Sequence, residues 1–163
     1  MFAAIKRFFA APKHVVRMDE MHAGQVIVEG AVRVGPAGTL SSPIKGQPCV
    51  AFVYTAGHRV AGRSAQLADR PLRNVEAFVA FELDLDGGRI EVVPERPGGF
   101  SREDHQALVG ASYQNFHAEE VVVPTRARVR LRGVARPKGD GWVVTYRRIE
   151  RLESPGKGGK RRR

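Results

Sequence analysis

The sequence predicts an all-β fold, a small antiparallel OB-like barrel, with a sandwich as the second choice. Three observations predict it. Five to seven segments alternate apolar with polar residues, Gly/Pro/Asp turns separate them, and strands nowhere alternate with long helical stretches. At 163 residues and 42% apolar content the chain can bury one core. One short helix is expected inside the body, an amphipathic helix before it and a disordered basic tail after it. The domains read as a basic N-terminal segment (1–17), a barrel domain (18–153) and the tail (154–163).

In order, residues 1–11 project as a helix with Met1, Phe2, Ile5, Phe8 and Phe9 on one face and Lys6 and Arg7 off it, closed by Pro12. So short a helix is marginal alone and needs a surface: its own barrel, a sister subunit or a membrane interface. An acid-free amphipathic N-terminus also suits a targeting peptide. Residues 25–34 read as a strand with a bend or bulge at Gly30, and 39–48 as a loop. A second strand covers 49–55, 61–74 read as a loop, and 75–85 read as one long strand. Asp86-Gly87-Gly88 turns that strand into 89–93, because glycine accepts positive φ. Ser101 and Asp104 begin a helix that Gly110 is expected to stop. Val121-Val122-Val123 is a short strand or the lead-in to one. Strands over 126–135 and 141–152, parted by the turn 137–140, complete the body.

The net charge of +10 invites a nucleic-acid reading, so its distribution matters. Residues 1–17 carry four bases and no acid, and 154–163 carry five bases and no acid. All 17 acids lie between Asp19 and Glu153, which leaves the body at +1. Within the body, residues 18–125 sum to −5 and 126–151 to +7. The folded part therefore carries a polarised field.

Known catalytic signatures are missing. The sequence has no phosphate-binding glycine loop, no nucleophile elbow and no HExxH zinc motif. Its five histidines are dispersed, and the lone Cys49, beginning a strand beside Val50, reads as a small core residue. Glu82 to Gly87 looks superficially like a calcium loop, but the last position of such a loop would be Val93 where glutamate is needed. The expectation is no enzyme, no catalytic or metal-ligating residue, no cofactor and no small-molecule substrate, in a cytoplasmic setting that includes a membrane periphery.

The most unusual stretch is Arg126-Ala127-Arg128-Val129-Arg130-Leu131-Arg132. On a strand it places Ala127, Val129 and Leu131 on one face and Arg126, Arg128, Arg130 and Arg132 on the other. Like charges at that spacing need neighbouring acids, such as those of 82–86, or an anionic ligand. Tyr146 apart, the basic segment lacks interleaved aromatics for stacking bases. The terminal Lys160-Arg161-Arg162-Arg163 is a solvated tail or an aid to binding anionic lipid or nucleic acid.

Three stretches, in order, resemble the GIDE domain, also called BAM ("beside a membrane"), found in membrane-anchored mitochondrial and chloroplast RING ubiquitin ligases and in bacterial proteins. They are Val28-Glu29-Gly30 through Leu40-Ser41-Ser42-Pro43 to Pro48-Cys49-Val50, then Phe81 to Gly88 through Val92-Val93-Pro94, then His117-Ala118-Glu119-Glu120 to Val129–Gly133. The resemblance spans residues 25–136 and implies a β-rich module beside a membrane that binds partners. Ligase activity does not carry over, because one cysteine cannot furnish a RING's zinc ligands. The resulting expectation is a non-catalytic adaptor that binds another protein, an anionic membrane surface, or both. Phe2, Ile5, Phe8 and Phe9 would dock it, and Ser41, Ser42 and Pro43 with the arginine face would make contacts. The alternative is an OB-like nucleic-acid binder using those arginines and the tail.

Overall fold

The computed structural model describes residues 11–58, 73–111 and 115–153. In chain order the strands are β1 (Lys13–Val15), β2 (Gly24–Arg33), β3 (Leu40–Ser41), β4 (Pro48–His58), β5 (Arg73–Phe78), β6 (Phe81–Leu85), β7 (Gly88–Pro94), β8 (Phe116–Pro124), β9 (Arg128–Lys138) and β10 (Gly141–Arg151). A 3-10 turn, Met18–Glu20, follows β1, and helix α1 (Arg102–Ala111) lies between β7 and β8.

Five strands close into a barrel in the order β2-β6-β7-β10-β9 and back to β2. Every pair in the ring is antiparallel except β7 with β10. Closure leaves the ring without free edges, and alternation then sends every second side chain inward. Those inward positions hold Val26, Val28, Val32, Leu83, Ile90, Val92, Val129, Leu131, Val144 and Tyr146, all buried. Each aliphatic side chain among them contributes roughly 1.5–3 kcal/mol by leaving water. The expected all-β barrel is therefore present.

A second, smaller sheet grows from the same chain. In it β4 runs between β5 and β8, and β3 pairs with its first residues. Cys49, Phe52, Tyr54, Ala56 and Ala77 form its buried core, with Phe100, Leu108 and Phe116 packed against them. Helix α1 reaches this core through His105, whose Nδ1 lies 2.8 Å from the Tyr54 hydroxyl. Ser101 and Asp104 cap α1 reciprocally: the Asp104 N–H donates to Ser101 Oγ, and the Ser101 N–H donates to Asp104 Oδ2.

Several expectations change in detail. The single strand over 75–85 is two strands in two sheets. β5 pairs with β4, Val79 donates to Val50 across the step, and β6 then joins the barrel. Val75, Ala77, Val79, Phe81, Leu83 and Leu85 keep the same alternation through that step. A period of two records which side faces inward, and it is silent about which sheet the strand joins. At Gly30 the register runs through unbroken, without a bulge. Glycine is required there because a Cβ would lie 2.3 Å from the carbonyl oxygen of Asp84. Gly110 lies inside α1, which ends at Ala111. The segment read as N-terminal includes β1, which pairs parallel with β2. Lys13 and Arg17 therefore belong to the folded residues.

Candidate functional site

The outer face of β9 and β10 carries the unusual chemistry. Along β9, Val129, Leu131, Gly133 and Ala135 point inward while Arg128, Arg130, Arg132, Val134 and Arg136 are outside. The neighbours on that face are Ala31, Glu29, Ile27 and Gln25 from β2, opposite Arg128, Arg130, Arg132 and Val134 in turn. On the other side β10 places Glu150 opposite Arg130 and Arg148 opposite Arg132.

One arginine is neutralised. Arg130 donates to Glu29 at 2.6 Å, and His14 of β1 lies 2.8 Å from the same carboxylate oxygen. Burial would raise the Glu29 pKa, but the hydrogen bonds and charges of Arg130 and His14 outweigh it and hold the carboxyl below its usual range. The acids of 82–86, expected as partners of this strand, are engaged by Arg33 and Arg89 instead, and β2 separates Asp84 from Arg128. Arg132 and Arg148, by contrast, face each other directly, and among the described residues neither has an ion pair. Like charges directly opposite on adjacent strands are destabilising. A third cation, Arg128, also stands outside without an acid across from it. The arrangement can engage an anion with at least two guanidinium forks.

Arg148 was not legible as part of this face. Strict alternation from Val144 and Tyr146, both buried, would send it inside. A β-bulge between Tyr146 and Arg148 inserts Arg147, which turns out to meet Glu95 at 2.6 Å, and Arg148 is flipped outward. The available signal was Gly133. A Cβ there would lie 2.3 Å from the Thr145 carbonyl oxygen and 2.9 Å from Tyr146 Cα, and an interior strand glycine marks such close backbone approach. Tyr146, read as an aromatic beside the basic pair, belongs instead to the core.

Around the barrel, β6 and β7 present the opposite case. Asp84 accepts from both Arg33 and Arg89, and Arg89 also donates to Glu82 at 3.1 Å. The hydrogen bond from Arg33 lowers the Asp84 pKa most, burial opposes it, and the hydrogen bond from Arg89 with the two guanidinium charges brings it down further. These acids line the wet face of β6, as expected. Among the described residues no group of three His, Cys, Asp or Glu side chains could hold a metal ion.

The remaining candidates fall differently. Arg126 precedes β9 rather than lying on it, with a left-handed backbone (φ 69°). Ser42 and Pro43 are buried, which leaves Ser41 exposed. The Ser42 hydroxyl donates to Glu120 at 3.0 Å, and the N–H groups of Ile44 and Lys45 donate to the same carboxylate at 2.8 and 3.0 Å. This loop is thus wrapped around Glu120 of β8, so its order comes from an internal carboxylate. Cys49 is buried and its thiol pKa is raised to about 11 by burial and then by the Glu120 charge, consistent with a core role. Phe2, Ile5, Phe8 and Phe9, like Lys160 to Arg163, lie outside the described residues. No helix among the described residues is long and apolar enough to cross a membrane.

Compared with protein-family models, curated proteins and solved structures, the chain gives no significant match to any. What defines it is a closed five-stranded barrel with one self-neutralised face and one face on which, among the described residues, Arg128, Arg132 and Arg148 have no ion pair while Arg130 does.

Proposed function

We propose that the chain is a non-catalytic binding module, a GIDE-like adaptor, whose β9–β10 face docks an acidic surface of a partner protein. The observation that carries this is the Arg132–Arg148 pair, two arginines directly opposed in register, neither with an ion pair among the described residues. A free protein gains nothing from that repulsion, whereas a bound carboxylate cluster converts it into attraction. Val134, 37% exposed, and the half-buried Ile27 add apolar area to the same face, as protein interfaces require. The GIDE-like reading has separate support. Two of the stretches that carry the resemblance, Leu40 to Pro43 and His117 to Glu120, meet through the Ser42–Glu120 hydrogen bond. The periphery of a membrane suits this module, with residues 1–11 as the docking element.

Labelled poly-glutamate tests the reading. Full-length protein should bind it, and Arg132→Ala/Arg148→Ala should weaken that binding about tenfold, the effect of losing roughly 1.4 kcal/mol. Equal affinity of the two proteins removes the proposal.

A second reading, nucleic-acid binding, is favoured by one observation. A five-stranded closed ring with one parallel pair and a helix between its third and fourth strands suits an OB-like barrel. The face lacks aromatics among its described residues, so contact would be with phosphates. Duplex DNA would then show a salt slope that falls by about 1.8 in the double variant, near 0.9 for each lost phosphate contact. An unchanged slope dismisses it.

A further inference from the structure

Arg126 stands apart from the arginines it neighbours in sequence. It occupies the third position of a turn closed by the Ala127 N–H donating to the Pro124 carbonyl. That position, with φ at 69°, ordinarily belongs to glycine or asparagine. The turn cannot relax easily, because Arg126 donates its N–H to the Val32 carbonyl and Val32 donates back to Ala127 at 2.8 Å. A long side chain is thereby held in a conformation that disfavours it. Strained positions of this kind concentrate at ligand sites.

Its side chain lines a cleft of about 640 Å³ together with Arg33, Arg89, Thr125, Glu82 and Asp84. Three guanidiniums meet two carboxylates there, which leaves one positive charge. Arg89 is engaged by both acids, and Arg33 uses its Nε on Asp84. Among the described residues Arg126 has no ion pair, and Asp84 is the one acid with which Arg33 pairs. A cleft of this size fits a small molecule better than a macromolecular surface. A tetrahedral phosphate can accept from both forks at once, with Thr125 at the rim.

We propose that this cleft binds the phosphate group of a small phosphate monoester, with Arg126 as its first ligand and Arg33 as its second. The site is separate from the β9–β10 face and does not depend on the function assigned to that face.

Calorimetric titration of the full chain with inorganic phosphate and with glycerol 3-phosphate, at fixed ionic strength, tests it. Saturable binding of the ester is expected, weakened at least tenfold in Arg126→Ala and unchanged in Arg132→Ala/Arg148→Ala. Arg126→Gly separates ligation from folding: it should raise Tm by relieving the backbone while losing the ester. Each of the following results overturns the proposal: no saturable binding, acetate bound as tightly as phosphate, Arg126→Ala within twofold of the parent, or binding only to phosphatidic acid vesicles and not to the soluble ester. Loss of ester binding in the Arg132/Arg148 double variant alone would move the phosphate to the other face and also sink it.

Discussion

The β9–β10 face and the β6–β7 face of this barrel are built from the same alternation, yet they differ in what they leave for a partner. On β6–β7, Glu82 and Asp84 stand beside Arg89 and Arg33, and each cation there finds an acid. On β9–β10, one acid of β2 and one of β10 meet the single residue Arg130, while Arg132 meets Arg148. The two faces carry similar numbers of ionic groups. Cross-strand register decides which of those groups are free, so a count of charges along the chain is a poor guide to a binding face.

The largest test of this contrast removes the device that creates it. Gly133→Ala drives a methyl into the backbone at Thr145 and Tyr146, neither of which is a flexible side-chain tip. Destabilisation of about 2–3 kcal/mol is expected from such overpacking, read by urea unfolding. If the bulge instead shifts to make room, Arg148 turns inward and poly-glutamate affinity falls while the barrel persists. A variant that keeps both stability and affinity would show that the bulge does not depend on Gly133.

Next in size is the exchange of Glu29 for Gln, which makes the arginine face less like its counterpart. Arg130 loses its charged partner and joins Arg132 and Arg148 as an available cation. Stability should drop by about 1 kcal/mol, near the upper end for a partly exposed pair, and affinity for poly-glutamate should rise two- to threefold. Weaker binding in this variant would mean that Arg130 contributes to the face only when Glu29 holds it in position.

How much of this was readable in advance divides along physical lines. The inward residues of β2 and β9 were legible because alternation reports burial directly. So was the Asp86-Gly87 hairpin, where Gly87 has φ of 85°. Two things were not. A change of partner sheet at Val79 leaves the alternation intact, and the bulge at Arg147 shifts the phase by one residue without any local polarity signal. Arg126 was misplaced for a related reason: the pattern Arg-x-Arg extends through it, but the turn at Pro124–Ala127 takes it off the strand. Pairing Glu29 with Arg130 required knowing that β2 and β9 close the barrel, contacts separated by about a hundred residues of sequence.

Acid titration sharpens the comparison less strongly, because both faces respond. Glu29 and Asp84 have pKa values below their usual carboxylate range in the folded protein. Their contribution to stability is therefore fully present above the unfolded values, about 4.3 and 3.9, and is lost as pH falls through the lower folded values. Unfolding free energy should decline below about pH 4, and Glu29→Gln and Asp84→Asn should each flatten part of that decline. A curve unchanged by both substitutions would place the acid-sensitive groups elsewhere.

The smallest expected effect bears on the central contrast most directly. Arg132→Ala alone removes one member of an opposed like-charge pair, so it should stabilise the free protein by a few tenths of a kcal/mol. No comparable gain is expected from Arg89→Ala, which instead strands Asp84 and Glu82 without their shared cation and should lower Tm. The two substitutions delete the same side chain from the same kind of position, on strands of one barrel. Measured by thermal unfolding in low salt, where such repulsion is least screened, opposite signs follow only if one face is complete by itself and the other is not. Destabilisation by Arg132→Ala would mean that its guanidinium already has a favourable partner, and the face would then have no unmet need for an anion.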